Sequence, residues 1–297
     1  MKRLTQAHVI AAAVIVCLSA PEARAQSEKI SLRMAPRPGQ TVQMTVTQDM
    51  DFDMSMDGAP LPGGNSMKMV MRSTMALTQK TGPLKADGSV DAELTYDQIA
   101  IELSMNGQQM PASDVDTGLV GKPVVVTYNA NGEVIGVKGL PAASGLTDET
   151  FKQMLGSFYG NLPVTALGVG ETTTGPLDIP VPLPLPVPGA PMQMTGETIL
   201  KLVSIDKDAQ GRTARFDSTV NGRMDSAIPS PDGKGQLKFD ITMIGDGTTI
   251  IDLNKGLPRS NIATSTFSGR MNMPAGAAPN ATSMTMRGTV KVVMSSK

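Results

Sequence analysis

Methionine is the residue of this chain that offers chemistry by both its type and its spacing. There are 22 in 297 residues, and half of them recur at period two: Met54/Met56, Met67/Met69/Met71, Met192/Met194, Met271/Met273 and Met284/Met286. A thioether is a soft donor of the kind that selects Cu(I). Its flexible, polarisable arm also suits a surface that accepts varied apolar partners. The same spacing sends side chains to one face of a strand, so a plain sheet core uses it equally well. Groove, core and Cu(I) buffer all remain open on this evidence. The absence of helping histidines and the regular strand spacing weigh against copper.

The other chemically suggestive groups are weaker. Asp49, Asp51 and Asp53 form a row of carboxylates, but their alternates are apolar, which puts the acids on a solvent face where nothing raises a pKa for acid–base work. Asp53–Gly58 and Asp206–Gly211 look like the start of calcium loops. The twelfth positions are Gly64 and Asp217, and no helical pattern flanks either segment, so both read as hairpin turns. No nucleophile elbow, phosphate loop or zinc spacing occurs. The expectation is a protein that is not an enzyme, with no cofactor and no metal site assigned.

The first 25 residues read as an address. Lys2 and Arg3 precede a short apolar run, Val9 to Leu18, and Ala23-Arg24-Ala25 supplies a small-residue cleavage site. Cleavage before Gln26 would remove His8 and Cys17, the only imidazole and the only thiol. Lys2, Arg3, Arg24 and Glu22 would leave with them, so 23 basic and 26 acidic residues remain of the original 26 and 27. With no basic block, nucleic acid is an unsuited partner. Six Phe, three Tyr and no Trp leave few stacking platforms for bases or sugars. No later stretch has the length and hydropathy of a transmembrane helix. The expected location is periplasmic or secreted.

The elements that must position the methionines are strands. From Val42 to Met56, Val42, Met44, Val46, Met50, Phe52, Met54 and Met56 share one parity, broken by Gln48, while Thr45, Thr47, Asp49, Asp51, Asp53 and Ser55 take the other. At about 3.3 Å per residue this run reaches roughly 50 Å, far longer than an ordinary strand. After a Gly/Pro-rich turn at Gly58 to Asn65, Met67, Met69, Met71, Met75 and Leu77 repeat the pattern, with Lys68 and Arg72 facing the acids. In Ser89 to Met105 the apolar parity switches, which places a β-bulge near Asp97 or Gln98. Asn129 to Gly132 reads as a hairpin turn between Val124–Tyr128 and Val134–Val137. Further strands are read at Met192–Ile205, Thr213–Val220, Gln236–Ile244, Thr248–Leu253, Asn261–Met273 and Ser283–Met294, with turns that include Asp246-Gly247. One helix is expected, capped by Thr147 or Asp148, carrying Phe151, Met154, Leu155 and Phe158 on one face, and ended by Gly160 and Pro163. Prolines at 180, 182, 184, 186 and 188 make the middle of the chain an extended flap or surface connection, since proline cannot donate to a central ladder.

Three stretches carry a resemblance: the secreted start with Pro38-Gly39-Gln40, the run Pro163 to Glu171, and Gly245 to Leu253 leading into Asn254 to Pro258. They resemble a family of exported bacterial β-proteins known as a domain of unknown function, although the aromatic that often follows the Gly-Glu pair is replaced by Thr172 to Thr174. More distantly, the layout is similar to periplasmic lipoprotein carriers of the LolA type. That resemblance implies a half-barrel that holds acyl chains under a helical lid.

Together these readings predict a mainly β protein. It would be a large curved antiparallel sheet or half-barrel of about 10–12 long strands, with one short helix and a Pro-rich flap. Residues 1–25 form the signal peptide, and 26–297 form one β-rich domain in two halves joined by the Pro-rich segment 176–191. The expected function is non-catalytic binding or carriage of a hydrophobic molecule, a lipid or an acylated partner. Met44, Met54, Met56, Met69, Met71 and Met75 would line the site, with Phe151 and Phe158 as a plug. The rivals are a structural or interaction protein of the cell envelope with a filled core, partnered by envelope proteins, and a methionine-based Cu(I) buffer.

Overall fold

A computed structural model describes residues 28–31, 36–57, 66–110, 118–142, 147–159, 165–181, 192–229, 235–272 and 283–297. The signal segment 1–25, the turn at Gly58 to Asn65, the proline repeat from Pro182 onward and the helix-ending Gly160 and Pro163 lie outside these residues. So do Met273 and the side chains of Met154 and Phe158.

The elements in chain order are β1 (Ile30–Ser31), β2 (Thr41–Asp57), β3 (Ser66–Thr81), β4 (Val90–Met105), β5 (Gln108–Gln109), β6 (Pro123–Tyr128) and β7 (Val134–Lys138). They are followed by α1 (Asp148–Tyr159), β8 (Ala166–Leu167), β9 (Thr172–Val181), β10 (Met192–Asp208) and β11 (Gly211–Pro229). The chain closes with β12 (Gln236–Asp252), β13 (Leu257–Asn272) and β14 (Ser283–Ser296). Apart from the small β1–β8 pair, the strands form one 12-stranded antiparallel sheet in the order β7-β6-β4-β3-β2-β14-β13-β12-β11-β10-β9, with β5 beside β4. The curved sheet is not closed by hydrogen bonds. The chain starts at its centre, zigzags to one edge at β7, crosses to the other edge at β9, and zigzags back until β14 pairs with β2. Helix α1 lies against both β7 and β9, so it occupies the seam between the two edges.

Local sequence accounts for most of this. Alternation is kept across the two ladders of β2: Met54 sits between Met286 and Met67, and Met50 between Val290 and Met71. The bulge falls where parity predicts, because Ala76 pairs with Gln98 while Leu77 pairs with Tyr96, leaving Asp97 unopposed. The Asn129 side chain accepts the amides of Asn131 and Glu133, and Gly132 takes φ 81°, which completes the β6–β7 turn. Thr147 caps α1, accepting the Thr150 amide at 3.1 Å on its hydroxyl and the Phe151 amide at 2.9 Å on its carbonyl.

One expectation needs correction. Asp246-Gly247 is no turn: β12 runs unbroken through it, paired on both sides with β11 and β13. A β-carbon at Gly245 would overlap the Ser265 hydroxyl and one at Gly247 would crowd Ala263, so these glycines serve close strand approach. The first prolines are extended and stay out of the central ladder, as their missing donor requires. Pro176 and Pro180 belong to β9, which pairs with β10 alone; an edge strand tolerates a residue that cannot donate.

Candidate functional site

The strand ends define two regions. At the end where β2 begins, called here the Thr41 end, the inner face is buried in three clusters. Val42, Met44 and Leu257 form one; Ala92, Leu94, Leu119, Val124, Val126, Tyr128, Val134, Val137 and Phe151 form a second. Ile30, Leu167, Leu200, Leu202, Ala214, Phe216 and Ile251 form the third, toward the β10 side. At the other end, the Asp57 end, a fourth cluster fills the β9–β13 side with Leu177, Met194, Met224, Leu237, Phe239, Ile241 and Met271, and Met284 and Met286 pack against its margin.

The central strands at the Asp57 end are different. The inner-facing Met50, Phe52, Met54 and Met56 of β2, Met67, Met69, Met71 and Met75 of β3, and Leu103 and Met105 of β4 are all half-buried and belong to none of the four clusters. Register makes them one continuous strip: Met286–Met54–Met67 in one row, Phe52–Met69–Met105 in the next, then Val290–Met50–Met71–Leu103. Gln48 and Ser73 stand opposite each other as a polar row across the strip, with Met75 beyond it, opposite Val46. In the row of Phe52, β14 carries Gly288, and the Phe52 and Phe267 rings meet with centroids 5.0 Å apart and planes tilted by 53°. A β-carbon at 288 would overlap the Phe267 ring, so the glycine is what admits both rings.

The residues singled out from sequence therefore separate. Met54, Met56, Met69, Met71 and Met75 share the half-buried strip, whereas Met44 is buried in the core at the opposite end. Phe151 is 3% exposed and packs on the inner face of β4, β6 and β7. Sequence alone did not single out Met105, Met284 and Met286 as neighbours of β2 and β3. Their parity is plain, but nothing local says that the last strand pairs with the first long one.

Around the strip, the charged side chains lie on the outer face. Asp49, Asp51 and Asp53 point away from the strip; Arg72 lies 3.7 Å from Asp49, and Arg287 and Lys291 stand opposite Asp53 and Asp49 on β14. The described carboxylates that leave their ordinary range, Glu28, Asp87, Asp91, Glu171 and Asp208, all move downward. Asp91 is held low chiefly by Lys85 and Thr127, Glu171 by the Gly168 amide, and Asp208 by Arg259 at 2.7 Å. Burial alone pushes the Tyr96 phenol up, so this residue stays protonated and uncharged against the Thr41-end core. Among the described residues no three of His, Cys, Asp and Glu group as a metal site, and no helix is long and apolar enough to cross a membrane.

A separate cavity of about 470 Å³ opens at the Thr41 end. Val90 and Tyr128 line it from one half of the sheet, Phe216 and Ile251 from the other, and Arg37 lies at its rim, donating to the Leu253 carbonyl at 2.8 Å.

No family model matches this chain, and no curated protein does. Among solved structures it is similar to lipovitellin, described for its lipid–protein interactions, at 12% identity and a TM-score of 0.44 over 88% of this chain; the chain spans only 26% of that protein. It is also similar to the outer membrane protein OprG of Pseudomonas aeruginosa, at 8% identity and a TM-score of 0.23, over 89% of this chain and 99% of that one. An exported protein of YmcC-like fold from Bacteroides fragilis follows at 8% identity and a TM-score of 0.13, over 87% and 98% of the two chains. At scores this low, none of these likenesses carries an argument about what the chain does.

Proposed function

We propose that this chain is a non-catalytic, exported protein that binds or carries a hydrophobic molecule, a lipid or an acylated partner, along the methionine strip. One observation carries the reading: a contiguous inner-face strip from Met50 to Met105, apolar throughout its core rows, is half-buried and outside every buried cluster. An apolar surface of that extent gains roughly 25 cal/mol per Å² when something covers it. The strip has no charged inner-facing member, so it suits an acyl chain better than a polar solute. The downward-shifted carboxylates stand on turns and strand ends away from it, and none is tuned as a general acid.

The test is native mass spectrometry of the protein purified from its own envelope fraction, before and after organic extraction. A lipid-sized mass that extraction removes supports carriage and identifies the cargo. Replacing Met54 and Met69 together by lysine should abolish that mass while the fold persists, because both positions already touch solvent. A bare polypeptide that stays bare after incubation with envelope lipids overturns the reading in favour of a structural envelope protein.

A further inference from the structure

A greasy surface does not by itself require sulfur, and the molecule shows this. At the Thr41 end the same alternation is filled by Val42, Leu94, Val124, Val126, Leu200, Leu202, Phe216, Ile251 and Leu257, with Met44 the single methionine among them. β-Branched and aromatic side chains suit strands, and methionine loses more rotamer freedom than leucine when ordered. At the Asp57 end methionine nevertheless dominates. The register arranges six of these residues as two neighbouring triads. Met286, Met54 and Met67 stand side by side across β14, β2 and β3; Met271, Met284 and Met56 stand side by side across β13, β14 and β2.

Directly opposed residues of neighbouring strands have β-carbons about 4.5–5.5 Å apart. Each thioether sulfur lies two bonds beyond its β-carbon on a freely rotating arm, so the outer two of a row can lean over the middle one. No carboxylate shares these inner-face rows, which leaves a hard cation such as calcium without oxygen ligands. Neutral thioethers in an apolar setting favour a soft monovalent ion instead. Met54, Met56, Met67, Met284 and Met286 are half-buried, within reach of solvent yet backed by the sheet.

We propose that the two methionine triads centred on Met54 and Met284 bind Cu(I) through thioether sulfur. This site shares Met54, Met56 and Met67 with the carriage strip but uses their sulfur atoms, whereas an acyl chain uses only their apolar surface.

The experiment titrates the full chain anaerobically with Cu(I) in competition with a chromophoric Cu(I) chelator, and repeats it with Met54→Leu combined with Met284→Leu. The wild-type chain should withdraw copper, and the double variant should bind it at least about tenfold more weakly, a loss of about 1.4 kcal/mol. Met44→Leu should leave copper binding at the wild-type level. Methyl-labelled methionine NMR with Ag(I), a redox-inert stand-in, reads the site without any mutation. The methyls of Met54, Met67 and Met286, and those of Met56, Met271 and Met284, should shift while Met44 stays. No competition by the wild-type chain, equal affinity in the double variant, or Ag(I) shifts spread evenly over all methionines would each overturn the proposal.

Discussion

The two ends of the long sheet start from the same alternation and reach different states. Around Thr41 the short strands β6 and β7, the helix α1 and the β1–β8 pair bring additional layers to the inner face, and Phe151, Leu167 and Ile30 complete its packing. Around Asp57 the long strands β2, β3 and β4 outrun β6, whose pairing with β4 stops at Thr95, and β7, which pairs with β6. The inner-facing Ile99, Ile101, Leu103 and Met105 extend beyond that point, and only Ile99 touches a buried cluster. The difference teaches that alternation dictates which side chains share a face, whereas layer supply decides whether that face becomes a core or a surface.

Truncation should break the symmetry between the ends most strongly. Phe216, 2% exposed in the Thr41-end core, should cost about 3–5 kcal/mol as Phe216→Ala. Met69→Ala in the strip should cost under about 1 kcal/mol, since solvent already reaches it. Urea unfolding of the two variants measures the gap. Equal losses would mean that the strip is a filled core, and carriage would lose its basis.

Gly288→Ala comes next. Its new methyl meets the Phe267 ring, and relief requires moving an aromatic pair at the strip's border, so a loss of about 1–3 kcal/mol is expected. A neutral result would show that the rings are free to part.

Acid should act on the Thr41 end first. Asp91, Glu171 and Asp208 all have lowered folded-state pKa values, so the stability they contribute is present above the ordinary carboxylate range and is lost as pH falls through it. Thermal unfolding should be flat from neutral pH to about 5 and fall below about 4. Amide exchange in the β10–β11 and β12–β13 turns, which Arg259 joins through Asp208 and Asp252, should rise before exchange in the strip. A strip that opens first would reverse the assignment.

The smallest effect belongs to the outer face. Arg72→Ala removes an exposed pair with Asp49 and should cost no more than about 0.5 kcal/mol, shrinking further in salt. A larger loss would assign the acidic row a structural part it does not show.

Much of the architecture was legible in particular residues. Parity alone placed Met50 to Met56 and Met67 to Met75 on one face and Asp49 to Asp53 on the other, because a strand turns its side chains by half a revolution per residue. The parity switch at Asp97, the turn at Asn129 to Gly132 and the cap at Thr147 were equally local. Asp246-Gly247 misled for the same local reason: the dipeptide favours a turn in isolation, yet ladders on both sides hold it extended, and its glycine fits the close approach of β13. Of the expected lining methionines, Met54, Met56, Met69 and Met71 stand in adjoining rows, Met75 stands beyond the Gln48–Ser73 row, and Met44 is buried, since identical parity at opposite ends of a 17-residue strand leads to different surroundings.

What the sequence by itself determined is the direction of each side chain and the long reach of the strands, both consequences of backbone geometry. Only the tertiary structure decided that β14 closes onto β2, which brings Met284 and Met286 beside Met54 and Met56 across more than 220 residues of chain. It also decided that α1 fills the seam at β7 and β9. These pairings depend on which edges remain free once the two meanders have formed, and no short stretch of residues encodes that.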